Sequence, residues 1–221
     1  MTAPLGPWKA IVFDFDGTLA ELNIDFAAMR RGVLALASGL GIPTGPIQSL
    51  HVLEMIEAAA AALGENRPGE VPGFLRDART LVEGIEIAAA ESGALFQQTR
   101  PLLAGLRDRS VRTGIITRNC RSAVLTLFPD IGQYCQAFLS RDDVGRVKPH
   151  PDHLMAALAL LGAEPAEAAM VGDHPIDIRL GRRTGTYTIG VLSGHSRRED
   201  LLEAEPDLIL ASAPEILQRL S

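Results

Sequence analysis

Residues 9–18 read Lys-Ala-Ile-Val-Phe-Asp-Phe-Asp-Gly-Thr, and this stretch decides the fold that the sequence predicts. Its first half is short and apolar, with β-branched and aromatic residues, which is typical of a buried strand. Its second half places Asp14, Asp16 and Gly17 where such a strand runs into a tight turn. We therefore expect both carboxylates at the carboxyl end of a buried strand.

Beyond residue 100, short apolar strands alternate with helices. Strands are predicted at residues 113–116, 137–139, 168–171, 186–191 and 207–210. Strands that alternate with helices indicate βαβ crossovers and a parallel sheet covered on both faces. The predicted fold class is α/β, with a doubly wound, Rossmann-like parallel sheet as its core.

An insert of different character separates the first strand from the others. From residue 24 to about residue 96 the chain is rich in Ala, Leu, Met, Glu and Arg with helical spacing, and breaks are expected at residues 41–43, at Gly64 and at residues 68–73. Three or four helices and no convincing strand are predicted there. We expect a catalytic core formed by residues 1–19 and 97–221, with residues 20–96 as a small α-helical cap. Its two connections lie close together, which favours movement as a lid.

Composition limits the partners of this chain. Of its 221 residues, 47% are hydrophobic and 22% are charged, which is ordinary for a globular protein. The formal charge of -6 argues against general nucleic-acid binding, which needs a basic surface. Cys120 and Cys135 show no metal-ligand spacing, and neither a signal peptide nor a membrane span is apparent. We expect a cytoplasmic monomer or homodimer with no nucleic-acid or membrane partner.

Polar side chains follow four of the predicted strands: Asp14 and Asp16, Thr117, Lys148, and Asp173 with Asp177. In open parallel sheets, ligands bind in the crevice outside the carboxyl ends of the strands. Residues that are far apart in sequence are therefore expected to meet at one site.

The residue types at these strand ends suit phosphoryl transfer. Aspartates offer the hard oxygen ligands that Mg²⁺ prefers, together with waters and substrate phosphate. Lys148 and the Thr117 hydroxyl can bind phosphoryl oxygens. One carboxylate can attack phosphorus while another handles the proton of the leaving group. Gly17, which lacks a side chain, allows backbone N–H groups of the turn to approach an anion.

The same residues resemble the ordered motifs of the haloacid dehalogenase superfamily, most closely its phosphoglycolate phosphatase-like branch. The motifs are Asp14-Phe15-Asp16-Gly17-Thr18, Thr117, Lys148-Pro149 and Gly172-Asp173-His174-Pro175-Ile176-Asp177. The resemblance runs from about residue 9 to the C-terminus, while the insert resembles a cap only in position and composition. It implies a phosphoric monoester hydrolase that uses Mg²⁺ and acts on a small phosphorylated metabolite.

The resemblance also implies a role for each motif residue. Asp14 is the nucleophile and a metal ligand. Asp16 is the general acid and then the base that activates water, and its backbone carbonyl faces the metal. Thr117 and Lys148 hold the phosphoryl group that is transferred. Because dehalogenases lack the second aspartate, Asp16 also separates this chain from them.

The resemblance further implies that Asp173, in the last motif, completes the metal site. It implies that Asp177 orients Lys148 or a metal-bound water. The sequence departs from the pattern at two positions. Glu21 stands where many relatives have aspartate, and His174 replaces a small hydroxyl residue that is common beside the metal aspartate. The sequence assigns no role to either side chain.

Two short segments near the predicted site have both a functional and a purely structural interpretation. Arg118 and Asn119 directly follow Thr117 and can reach the leaving group of a substrate, although a solvated loop accounts for them equally well. Residues 193–195, Ser-Gly-His, end a predicted strand, and a plain strand-to-helix turn is the favoured interpretation.

Two other functions remain open from the residues alone. A phosphomutase of the same superfamily would use the same aspartyl-phosphate and pass the phosphoryl group to a sugar. A non-catalytic protein, either a signalling receiver that stores phosphate on an aspartate or a retired relative that only binds, is the alternative of another class. Receivers lack an acid/base group two residues after the acceptor, and this chain has Asp16 there. The substrate is open among phosphoglycolate, sugar phosphates and nucleoside monophosphates.

Overall fold

The computed structural model of the protein describes residues 6–220. The chain divides into two compact units. One contains the chain up to Leu22 and from Ser92 onward, and the other is Asn23–Glu91. These divisions lie a few residues inside the boundaries expected from the sequence. In the described part of the chain, no helix combines the length and the apolar character needed to cross a bilayer.

The larger unit is built on a six-stranded sheet. The strands of the described chain are β1 (Ala10–Phe13), β2 (Ala20–Glu21), β3 (Ala94–Leu95), β4 (Arg112–Ile116), β5 (Ala137–Leu139), β6 (Ala168–Gly172), β7 (Tyr187–Val191) and β8 (Leu208–Leu210). The sheet has the order β5-β4-β1-β6-β7-β8, and each neighbouring pair is parallel. The predicted doubly wound α/β fold is confirmed.

The centre of the sheet is a topological switch point. From β1, the chain adds β4 and β5 on one side and β6 to β8 on the other. In this kind of sheet the crevice lies outside the carboxyl ends of the two central strands. Phe13 pairs with Val171, and the Asp14 N–H donates to the Val171 carbonyl at 2.8 Å. The ends of β1 and β6 are thus in register.

Helices cover the sheet and form the insert. They are α1 (Phe26–Gly39), α2 (Val52–Asn66), α3 (Val71–Ser92), α4 (Thr99–Asp108), α5 (Arg121–Leu127), α6 (Pro151–Leu161), α7 (Pro175–Thr184), α8 (Arg198–Leu202) and α9 (Glu215–Arg219). Helix α6 packs on β1, β4 and β5, and α7 packs on β6 and β7. Leu154, Leu158 and Leu161 of α6 are buried in one cluster with Val12 and Met170. This cluster packs α6 against the face of the sheet.

The smaller unit is helical and has a core of its own. Helices α1 to α3 bury a cluster that includes Val33, Met55 and Phe74. The break expected at Gly64 is wrong, because Gly64 lies inside α2, which continues to Asn66. A glycine costs a helix only about 1 kcal/mol, and burial of the neighbouring Leu63 offsets this cost.

A two-stranded antiparallel sheet was not foreseen. Strands β2 and β3 pair Ala20 with Leu95 and Glu21 with Ala94. Both strands belong to the larger unit, although the sequence predicted no strand within residues 24–96. Strands of two residues carry no periodicity from which they can be recognised.

Candidate active site

Three buried carboxylates meet at the carboxyl edge of the sheet. One oxygen each of Asp14, Asp173 and Asp177 lies within 4.8 Å of the others. Asp14 follows β1, Asp173 follows β6, and Asp177 lies in the first turn of α7. Their exposed fractions are 7%, 3% and 1% respectively. The structure therefore brings the first and the last of the sequence motifs together at one position.

An ammonium group lies among these carboxylates. Lys148 Nζ is 2.5 Å from Asp14 Oδ1 and 2.7 Å from Asp177 Oδ1, and the residue is only 3% exposed. Three carboxylates and one ammonium group leave a formal charge of -2 when all are ionised. A buried net charge of this size is costly unless an opposite charge compensates it. Hard oxygen donors with this charge fit a divalent cation such as Mg²⁺.

The pKa values reflect this crowding of charge. Burial, together with the negative charges of Asp14 and Asp177, raises the pKa of Asp173 to about 8. Burial also raises the pKa of Asp177 to about 6, although Lys148 opposes the shift. Burial alone would lower the pKa of Lys148, but the carboxylates of Asp14 and Asp177 raise it. A bound cation would favour the charged forms of the aspartates.

Asp16 is not one of the three clustered carboxylates, but it interacts electrostatically with Asp14. Its Oδ1 accepts a hydrogen bond from the Leu22 N–H at 2.9 Å. Burial raises the pKa of Asp16 to about 6, despite this hydrogen bond. A carboxyl group with such a pKa is partly protonated near neutral pH, as a general acid requires. The metal contact expected of its backbone carbonyl stays a prediction.

The segment after β4 lies next to β5. The Thr117 N–H donates to the Leu139 carbonyl at 3.1 Å, and Thr117 Oγ1 accepts from the Asn119 N–H at 3.2 Å. Thr117 and Asn119 are buried, and Asn119 Nδ2 has no hydrogen-bond partner among residues 6–220. Arg118 is half-buried, and its carbonyl accepts from Arg141 at 3.2 Å. Contact of these side chains with a substrate stays a prediction.

The strand-to-helix turn after β7 contacts Asp173 and Gly17, which the sequence did not foresee. Ser193 Oγ donates to the Gly17 carbonyl at 2.8 Å, and the His195 N–H donates to Asp173 Oδ2 at 3.0 Å. Gly194 lies so close to the Asp173 carboxylate that a Cβ atom there would overlap it. A glycine between polar residues at a strand end was the only signal in the sequence.

Gly17 is required for a similar reason. Its φ is 80°, in the region that favours glycine, and a Cβ atom would lie 2.5 Å from Asp173 Oδ2. The Gly17 N–H donates to the Ala20 carbonyl at 2.7 Å, so this N–H is engaged within the turn. Anion binding by other N–H groups of the turn stays a prediction.

The two departures from the family pattern lie in different settings. His174 caps α7: its Nδ1 accepts from the Ile176 N–H at 3.1 Å, and its own N–H donates to Asp177 Oδ2 at 3.3 Å. It therefore helps to orient Asp177. Glu21 is exposed in β2.

The family model described as haloacid dehalogenase-like hydrolase matches residues 11–191. This chain belongs to that family. The match takes in every motif residue of the site, from Asp14 to Asp177, and it confirms the predicted family and its class of enzyme, a hydrolase. The three clustered carboxylates of the hydrolase thus belong to the motifs on which the family resemblance rests.

Named relatives of the hydrolase act on different phosphate compounds. It is 30% identical over 235 residues to a phosphoglycolate phosphatase of Salmonella paratyphi A, covering 96% of this chain and 92% of that protein. It is 37% identical over 124 residues to the pyrophosphatase PpaX of Bacillus pumilus, covering 55% of this chain and 57% of that protein. The hydrolase thus spans little more than half the length of the pyrophosphatases it matches.

Solved structures share the fold. A putative haloacid dehalogenase-like hydrolase from Bacteroides fragilis superposes with a TM-score of 0.66 at 22% identity, over 95% of this chain and 99% of that one. A putative beta-phosphoglucomutase from Thermotoga maritima superposes with a TM-score of 0.61 at 18% identity, over 95% of this chain and 97% of that one. At these identities, the similarity concerns the fold alone.

Proposed function

We propose that the hydrolase is a Mg²⁺-dependent phosphatase that cleaves a small phosphate monoester through an aspartyl-phosphate on Asp14. The observation that carries this proposal is the Lys148 ammonium group, 2.5 Å from Asp14 within a buried carboxylate cluster. The similarity to a phosphoglycolate phosphatase over 96% of the chain supports a monoester as substrate.

The carboxylates of Asp14 and Asp173, with the backbone carbonyl of Asp16, would hold Mg²⁺. Asp177 supports the site, because it binds Lys148 at 2.7 Å. When bound, the metal supplies positive charge that offsets the charge of the phosphoryl oxygens. The donor set fits this role, since the side chains that face one another are hard oxygen ligands with an excess of negative charge.

In the first step, an Asp14 carboxylate oxygen attacks phosphorus. The new O–P bond forms as the bond to the leaving oxygen breaks, and Asp16 donates its proton to that oxygen. The raised pKa of Asp16, about 6, increases its protonated fraction at neutral pH. Lys148 and the Thr117 hydroxyl bind the phosphoryl oxygens and stabilise the charge of the transition state.

In the second step, Asp16 acts as a base. Its carboxylate, which has lost the proton, removes one from a water molecule as that water attacks phosphorus. The bond between phosphorus and the Asp14 oxygen breaks, which releases inorganic phosphate and restores Asp14. Each turnover thus returns the acid and the nucleophile to their starting forms.

Steady-state kinetics test this proposal. The purified protein should hydrolyse an aryl phosphate with Mg²⁺ and lose the activity in EDTA. Asp14→Asn should reduce kcat by at least about a thousandfold, because an amide is a poor nucleophile. Asp108→Asn, at an exposed aspartate near the end of α4, is the matched control and should retain full activity.

The substrate class is tested with the same assay. If the proposal is right, kcat/KM for phosphoglycolate or another phosphate monoester exceeds that for pyrophosphate. Full activity of Asp14→Asn would refute the covalent scheme. A strong preference for pyrophosphate would refute the proposed substrate class and leave the nucleophile in place.

A further inference from the structure

A buried histidine outside the carboxylate cluster contacts the loop that carries Lys148. His153 lies in the first turn of α6 and is 0% exposed. Its Nδ1 is 3.2 Å from the backbone nitrogen of Lys148, and its Nε2 is 3.1 Å from the Leu139 carbonyl oxygen.

The two contacts determine the state of the imidazole. A backbone N–H can only donate a hydrogen bond, and a carbonyl oxygen can only accept one. Nδ1 must therefore be unprotonated, and Nε2 must carry the proton. This is the neutral ring in a single tautomer, in agreement with the burial that lowers the pKa of His153 to about 4.

The carbonyl that His153 binds is shared with a second part of the site. The Leu139 oxygen, at the end of β5, also accepts from the Thr117 N–H at 3.1 Å. One imidazole is thus connected through backbone hydrogen bonds to both Thr117 and Lys148. These two residues lie on different loops, after β4 and after β5, and in the proposed function they bind the same phosphoryl group.

We propose that His153 is a positioning residue that sets the distance between Thr117 and Lys148, the pair that binds the transferring phosphoryl group. The proposal rests on the proposed function of that pair. His153 acts through the backbone and touches no reacting atom. Its loss would leave the buried Lys148 N–H without the acceptor that the structure gives it, and relaxation of this loop would move the ammonium group.

Substitutions at His153 can separate its two hydrogen bonds. Asn can place an acceptor near the position of Nδ1, Gln can place a donor near the position of Nε2, and Leu provides neither. We expect His153→Leu to weaken the affinity for inorganic phosphate, measured calorimetrically with Mg²⁺, by about tenfold, because the loop relaxes to satisfy the orphaned Lys148 N–H and thereby moves the ammonium group. We also expect kcat/KM for an aryl phosphate to fall by at least as much. His153→Asn should recover most of both losses, since it restores the acceptor for Lys148.

Leu158→Ala is the control for simple destabilisation. Leu158 is buried in the same helix, so its truncation lowers Tm without touching either hydrogen bond. It should leave phosphate affinity and kcat/KM within about twofold of the unsubstituted protein, because relaxation stays local. The inference is overturned if His153→Leu behaves like Leu158→Ala, or if the unsubstituted protein binds no phosphate. If it binds phosphate but hydrolyses no ester, the proposed function fails, and the calorimetric comparison still decides the role of His153.

Discussion

At the scale of single residues, the site concentrates more negative charge than its own ammonium group can balance. Asp173 has a pKa of about 8, because it is buried and faces Asp14 and Asp177. Lys148 reaches two of the carboxylates and offsets one negative charge. Groups whose pKa is strongly shifted cluster at functional sites, since a chain selected for stability alone would avoid them. The uncompensated charge supports the proposal that a divalent cation binds to this cluster.

Gly194 should control how well the site binds Mg²⁺. In Gly194→Ala, the new methyl group would overlap the Asp173 carboxylate and displace it. We expect the Mg²⁺ concentration for half-maximal activity to rise about tenfold or more, as when a group that supports a metal ligand is lost. Gly132→Ala is the matched control, since no heavy atom lies within 4 Å of its new Cβ. Equal Mg²⁺ requirements in the two variants would contradict the assigned metal site.

At the scale of elements, the sequence could predict those site residues that directly follow a strand. Asp14, Thr117 and Asp173 each follow a buried apolar strand, and parallel strands end at a common edge. Lys148 required more, because it lies nine residues beyond β5 on a loop, and its place in the order of the family motifs added to the weak indication from the strand end. Its contact with Asp14 agrees with that order.

The remaining contacts depend on backbone paths that the sequence does not encode in a readable pattern. The contacts of Ser193 and His195 depend on how the turn after β7 bends back towards the start of the chain. The partners of His153 become apparent only when the loop before α6 is placed. Strands β2 and β3 are too short to show periodicity, and the glycine at position 64 reads as a break although its helix is held by packing.

At the scale of the whole molecule, the hydrolase has two units, each with its own apolar core. The candidate catalytic residues belong to the sheet unit. We propose that the helical unit, which the sequence predicts to be a cap, carries the choice of substrate. The formal charge of -6 opposes binding of an anion, so in the proposed function local positive charge at Lys148 and at a bound metal would supply the attraction.

The stability of the whole chain should depend on Mg²⁺ and pH together. The pKa values of Asp16, Asp177 and Asp173 are raised to about 6, 6 and 8 from 3.8. Without metal, their protonation stabilises the folded state fully below pH 3.8, and this contribution is lost as the pH rises through 6 and 8. Mg²⁺ requires the deprotonated carboxylates.

The increase in Tm that Mg²⁺ produces should therefore be larger at pH 8 than at pH 6. Thermal unfolding monitored by circular dichroism, with and without Mg²⁺, measures this difference. Asp173→Asn is the control and should abolish most of the increase at both pH values. An increase in Tm that does not change between pH 6 and pH 8 would show that the raised pKa values play no part in metal binding.

The central claim is that Asp14 becomes phosphorylated and that Asp16 is needed to release the phosphoryl group. Rapid mixing of Asp16→Asn with an aryl phosphate, whose leaving group needs little protonation, tests it directly. The account predicts a burst of phenolate of about one equivalent per enzyme, followed by slow turnover, with mass spectrometry locating one phosphoryl group on Asp14. A slow reaction without a burst, and with no phosphoryl group on Asp14, would contradict the account.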